Sequence, residues 1–291
     1  MFGKHCAGIY EKAFDAEISW EERFLRAKKL GFDYLEISID ETDKRLARLN
    51  WNKSLKKEFL DAAWRTGVRI RSMCLSAHRR FPFGSADNTV RKKAEEIIEK
   101  AIDFAGDLGI RVIQLAGYDV YYEPSTADSV KRFAEGMEHA ADLAEKAQVM
   151  LGMEIMDTPF MNSVTKHLKY ERSIRSPWYK LYPDIGNLSA WTENDPEKEL
   201  KKGIGSIVAV HLKDTLPPNG EFKGQFRDLE FGKGCVDFVS RFYDLEKLGY
   251  NGPYTVETWY KQGTDDVAEI KKAVDFLRER YETGVKSCSK S

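Results

Sequence analysis

Eight short apolar runs alternate with eight longer amphipathic ones along this chain, and that alternation narrows the fold more than any other feature. The apolar runs span residues 5–10 (HCAGIY), 34–39 (YLEISI), 68–77, 111–117, 149–156, 178–185, 206–214 and 253–259 (PYTVETW). Each is short and nearly continuous in apolar residues, as expected of a strand covered on both faces in a parallel sheet. The segments between them (19–31, 54–67, 89–108, 126–147, 161–174, 195–203, 235–249 and 266–284) carry apolar residues at helical spacing, and several stop at a glycine such as Gly31 or Gly67. Spread over 291 residues, each strand–helix unit averages about 36. An open doubly wound sheet shares the alternation, but eight regular units with no Pro/Gly/Ser-rich linker favour closure. The expectation is an α/β chain forming a single (β/α)₈ barrel over residues 1–284, with a frayed tail at 285–291.

Charge narrows the partners. Lys plus Arg number 46 and Asp plus Glu 47, a formal net charge of -1, so no global field draws in nucleic acid or a membrane surface. A small anion needs only local basic groups. The first residues show no secretory signal, and no run is long enough to span a bilayer. The four cysteines, Cys6, Cys74, Cys235 and Cys288, are scattered, which points to reduced thiols in the cytoplasm. No GxGxxG follows a strand and no Walker motif is present, so no nucleotide cofactor is expected.

Four expected strands end in residues able to bind a metal: Glu154 on the fifth, Asp184 on the sixth, His211 on the seventh and Glu257 on the eighth. Taken singly, each has a plainer reading: a buried paired acid, a turn former, a core histidine, a helix cap. Together, at four adjacent strand ends of a closed barrel, they point to one divalent ion at the rim. Three carboxylates and one imidazole suit Zn²⁺, Mn²⁺, Co²⁺ or Mg²⁺ without selecting among them. By spacing, Asp157, Asn187 and Lys213 are candidates to touch a substrate, and Glu36 and His78 to line the pocket floor. The loop from about 215 to 234 is a candidate lid or phosphate loop, with Gly232, Lys233 and Gly234 as candidate anion ligands and Arg79 and Arg80 as the alternative. Trp259, Trp191 and the Met-rich fifth strand are candidate apolar walls.

The stretches GIYEKA, DETDKRLARL, SMCLSAHRRFP, VIQLAGYDVYY, MEIMDTPFMNS, LYPDIGNLSAW, VAVHLKDT and GPYTVETW resemble the xylose-isomerase-like barrel superfamily. More closely, they resemble its L-ribulose-5-phosphate (L-xylulose-5-phosphate) 3-epimerases of bacterial ascorbate and related sugar catabolism. Lys233 and Thr258 depart from that family's pattern. The resemblance implies a metal held by Glu154, Asp184, His211 and Glu257, with Glu154 and Glu257 as the proton-transfer pair. The implied substrate is a phosphorylated ketopentose, epimerised at C3 through an enediolate stabilised by the metal as Lewis acid. A free-ketose 3-epimerase or an aldose–ketose isomerase would use the same groups. An apurinic-site endonuclease of the superfamily would need more histidines than the 5 present and a basic surface; a non-catalytic sugar-binding barrel would need no acid–base pair. Barrel enzymes often form homodimers, although no feature of this sequence shows it.

Overall fold

The apolar runs become strands because both of their faces find cover. In the computed structural model, which describes residues 1–288, β1 (Ala7–Tyr10), β2 (Tyr34–Ile39), β3 (Arg69–Leu75), β4 (Val112–Leu115), β5 (Met150–Glu154), β6 (Tyr179–Tyr182), β7 (Val210–Leu212) and β8 (Tyr254–Val256) are all parallel. They form one sheet in the order β6-β5-β4-β3-β2-β1-β8-β7. The two end strands meet through bridges at Leu181–Ile207 and Asp184–His211, and the amide of His211 donates to Pro183 O at 3.0 Å. The barrel therefore closes at the seam that brings Asp184 opposite His211.

The helices start where the sequence supplies a cap. Ser19, Asn52, Asp87, Ser163, Asp195 and Asp237 each accept a backbone N–H from the first turn, and Thr126 and Ser129 cap each other reciprocally. Gly67 and Gly109 end their helices in the left-handed conformation. Helices carry apolar residues such as Phe24, Phe59, Ile98, Phe133 and Leu277 against the outside of the barrel. Inside, Gly8 on β1 is required: a Cβ there would lie 2.1 Å from the ring of Tyr34, which fills the barrel interior.

The final helix, Asp266–Cys288, continues past Gly284 into the segment expected as a tail, and the remainder of that tail lies outside the described residues. The loop after β7 is a hairpin, with antiparallel bridges at Leu216–Gln225 and Asn219–Phe222. Among the described residues no helix is long and apolar enough to cross a membrane, and no disulfide joins any of the four cysteines.

Candidate metal centre and cleft

Glu154, Asp184, His211 and Glu257 meet at the rim. Glu154 ends β5, His211 is the middle residue of β7, and Glu257 follows β8 directly. Asp184 lies just past β6 and caps the short helix Ile185–Ala190: its Oδ1 accepts the amide of Asn187 at 2.6 Å. The turn-forming and metal-binding readings of Asp184 thus use different oxygens. One donor atom from each of the four residues lies within 4.8 Å of every other, and all four residues are buried. His211 Nδ1 stands 3.4 Å from Glu154 Oε1, 3.6 Å from Glu257 Oε2 and 4.0 Å from Asp184 Oδ2.

Buried polar atoms are ordinarily paired, because leaving one unmade costs about 1–3 kcal/mol. Here Asp184 Oδ2, His211 Nδ1 and Glu257 Oε2 are buried with no hydrogen-bond partner, and they converge on one space. Three carboxylates and an imidazole so arranged fit a single divalent cation. The local field favours positive charge there. Burial works against a charged imidazole at His211, yet Glu36 and Glu257 outweigh it and push the group up. Burial likewise opposes the Lys213 ammonium, and Asp184, Glu257 and Glu154 hold it charged. Lys213 Nζ lies 3.2 Å from Glu257 Oε2 and 3.4 Å from Asp184 Oδ2. The Asp184 carboxyl is pushed up, first by its burial and then by the neighbouring glutamates.

A cleft opens onto the cluster. Asp157, Asn187 and Lys213 line it. Asp157 accepts the phenol of Tyr118, and Asn187 keeps a buried, unpartnered Oδ1. Trp259 and Met156 form apolar wall, whereas the Trp191 indole donates to Met156 O at 3.0 Å and is not part of the lining. Arg79 lines the cleft, its guanidinium 4.9 Å from the Tyr121 ring centre. Several residues at the cleft escaped the sequence reading. Lys12 and Arg227 add charge to the lining, and Gln114 on β4 donates to Glu154 Oε2. Arg227 belongs to the long loop already suspected of covering the site, which was the available signal.

Other expectations are corrected. Glu36 does not line the cleft: it is wholly buried behind His211, with Oε1 2.6 Å from the ring's Nε2. Gly232 and Gly234 do form an anion cradle, but its anion is internal. Their amides donate to Asp214 Oδ2 at 2.8 and 2.9 Å, and a Cβ on Gly234 would lie 2.0 Å from Asp214 Oδ1. Lys233 is exposed beside them and outside the cleft lining. Arg80 is exposed and pairs with Asp43 at 2.8 Å.

His78 also turns away from the cleft. In the tight turn Ala77–Arg79 its ring stacks 4.5 Å from Phe83, and Nε2 donates to Ala94 O at 3.1 Å. Burial pulls its pKa down from 6.5 to about 4. The folded protein therefore keeps this ring neutral where the unfolded chain binds a proton. Its contribution to stability is complete above pH 6.5 and is lost as pH falls toward 4. Between about pH 7.5 and 5 the loss is about 2 kcal/mol. His78→Phe keeps the stack and removes the titration, so urea unfolding of the variant should lack this part of the pH slope. Equal slopes in the two proteins would refute the assignment.

A family model described as xylose isomerase-like TIM barrel matches residues 24–280. The L-ribulose-5-phosphate 3-epimerase UlaE of Escherichia coli (strain SMS-3-5) is 53% identical over 273 residues, covering 94% of each chain. UlaE of Salmonella choleraesuis (strain SC-B67) matches to the same extent, 53% over 273 residues and 94% of each chain. Among solved structures, D-allulose 3-epimerase from Methylomonas sp. in complex with D-allulose superposes with a TM-score of 0.77 at 21% identity, over 96% of this chain and 99% of that one; at that identity the likeness speaks for the fold.

Proposed function

The chain belongs to the xylose isomerase-like TIM barrel family and is an isomerase-class enzyme, and on that premise we propose that it interconverts L-ribulose 5-phosphate and L-xylulose 5-phosphate by moving the C3 proton. The observation that carries this reading is the pair of buried glutamates, Glu154 and Glu257, on one converging cluster that opens to a cleft. Inverting a carbon beside a ketone requires a base on one face and an acid on the other. Glu154 and Glu257 come from β5 and β8, with β6 and β7 between them around the rim, so a chain lying across the cleft passes between them. One takes the C3 proton and the other returns a proton to the opposite face. Glu154, Asp184, His211 and Glu257 would hold a divalent ion, which when bound supplies Lewis-acid stabilisation of negative charge on the substrate's oxygens. Lys213, buried between Asp184 and Glu257, places a fixed ammonium where that charge develops. Gln114 holds Glu154 from behind, and Trp259 and Met156 keep water from part of the cleft.

The phosphate end we assign to the basic side of the cleft, Lys12, Arg79 and Arg227. Lys12 is anchored by Asp40 at 2.6 Å, and Arg227 lies 3.8 Å from Asp157. Arg79 Nε is buried without a partner, a donor that a phosphate oxygen would satisfy. This replaces the Gly232–Gly234 turn, whose amides Asp214 has taken.

The test is proton NMR in D₂O with L-ribulose 5-phosphate, L-xylulose 5-phosphate and the two unphosphorylated sugars. The expected result is deuterium at C3 of both phosphates, appearance of the other epimer, and much slower exchange on the free sugars. Exchange on free sugars but not phosphates would replace the substrate assignment with the free-ketose reading. Exchange at C1 with aldose formation would replace it with the isomerase reading.

A further inference from the structure

We infer that Glu36 is a positioning residue, which fixes the His211 ring so that its Nδ1 lone pair faces the four-residue cluster. The inference rests on the metal reading above and concerns neither the ligands nor the proton-transfer pair themselves. Glu36 stands on β2 at the heart of the barrel with no solvent exposure. A carboxylate at such a depth is costly unless every lone pair that needs a partner has one. Its partners form a chain across the barrel interior. Ser72 Oγ donates to Glu36 Oε2 at 2.6 Å, and the Tyr182 phenol donates to the same oxygen at 2.9 Å.

The direction of every proton in the chain follows. Each hydroxyl has one proton to give. Tyr182 spends its proton on Glu36, so its oxygen accepts from Thr255 Oγ1 at 2.6 Å. Thr255 has then spent its own, and accepts from the Tyr34 phenol at 2.6 Å. Tyr34, Thr255, Tyr182 and Ser72 are all buried, so water does not compete for these groups. All their protons run toward Glu36 and fill Oε2 from two sides.

What remains is Oε1, 2.6 Å from His211 Nε2. A carboxylate already receiving two donors offers only lone pairs there, so the ring carries a proton on Nε2. Nδ1, on the other edge of the ring, is the atom left without a partner inside the cluster. The Tyr182 ring stands against the imidazole at 4.7 Å and 62°, so one residue both blocks ring rotation and feeds the carboxylate. A partner of this kind behind a histidine ligand typically changes metal affinity roughly 10- to 100-fold.

The test uses metal-stripped full-length protein and cobalt(II) as the probe ion, with affinity read by competition against a chromophoric chelator. Glu36→Gln should bind cobalt(II) roughly 10- to 100-fold more weakly and shift the visible absorption of the cobalt form. Raising free cobalt should restore kcat, with KM for the sugar phosphate unchanged. The melting temperature of the metal-free variant should stay close to that of metal-free wild type, which a merely structural role would not leave in place. Tyr182→Phe, which removes one donor and keeps the ring, should show a smaller loss in the same direction, and it decides the matter if Glu36→Gln does not fold. Wild-type affinity and an unchanged cobalt spectrum in either folded variant would overturn the inference. A wild-type protein that binds no divalent ion would instead sink the metal reading beneath it.

Discussion

Glu154→Gln and Glu257→Gln each lower epimerisation by roughly 10³-fold or more, and they fail in opposite senses. Each substitution keeps an oxygen that can face an ion but removes a site that can hold a proton. Losing either member of a two-carboxylate pair blocks net inversion, because the proton can leave from one face but cannot arrive on the other. The surviving carboxylate still serves its own face. In D₂O, one variant should therefore wash deuterium into C3 of L-ribulose 5-phosphate and the other into C3 of L-xylulose 5-phosphate, each without crossing to the other epimer. The measurement is C3 deuterium content by NMR alongside epimer ratio, on protein whose metal content has been checked. Turnover near the wild-type rate in either variant, or exchange of the same epimer by both, would end the two-carboxylate mechanism.

The parts of the molecule legible in its sequence are those decided by local pattern. All eight expected strands are present because most of each run is buried on both faces, a demand that apolar residues meet at least cost. Helix starts and stops were legible wherever a capping side chain or a left-handed glycine such as Gly67 sets them. The four rim residues follow from strand count alone: if residue 154 ends the fifth strand and residue 257 follows the eighth, closure brings them together.

What escaped depends on depth and direction, which a one-dimensional pattern does not carry. Glu36 sits on an expected strand, but period-two alternation says only that it faces the barrel interior, not that His211 stands between it and the cleft. His78 follows β3 as expected, and one tight turn swings its ring outward onto Phe83. The glycines at 232 and 234 read as ligands for a substrate phosphate, yet the anion their amides bind is Asp214, at the start of that loop. Arg227 gave no pattern of its own, since an arginine in a polar loop reads as solvated until the loop is seen to fold over the cleft.

Chelation should have an effect as large as losing a glutamate, and it tests a different link. Metal-stripped protein is expected to lose activity by on the order of 10³-fold, the loss that several kcal/mol of charge stabilisation implies, and to regain it when a divalent ion returns. The four ligands are mostly carboxylate oxygen with a single imidazole nitrogen, so more than one of Mn²⁺, Co²⁺, Zn²⁺ and Mg²⁺ should reactivate it. Stability must move as well. Without a cation, the unpartnered buried atoms of Asp184, His211 and Glu257 face one another, with Lys213 and the imidazole of His211 left to offset the negative charge. An ion that binds the folded state alone adds about 2.7 kcal/mol at a free concentration 100 times its Kd, a rise of roughly 4–5 °C in Tm for a domain of this size. Paired thermal melts and activity assays on stripped and reloaded protein supply the measurement. If the stripped enzyme keeps its turnover and its Tm does not respond to added ions, Glu154, Asp184, His211 and Glu257 hold no functional metal, and their unpartnered atoms need another explanation.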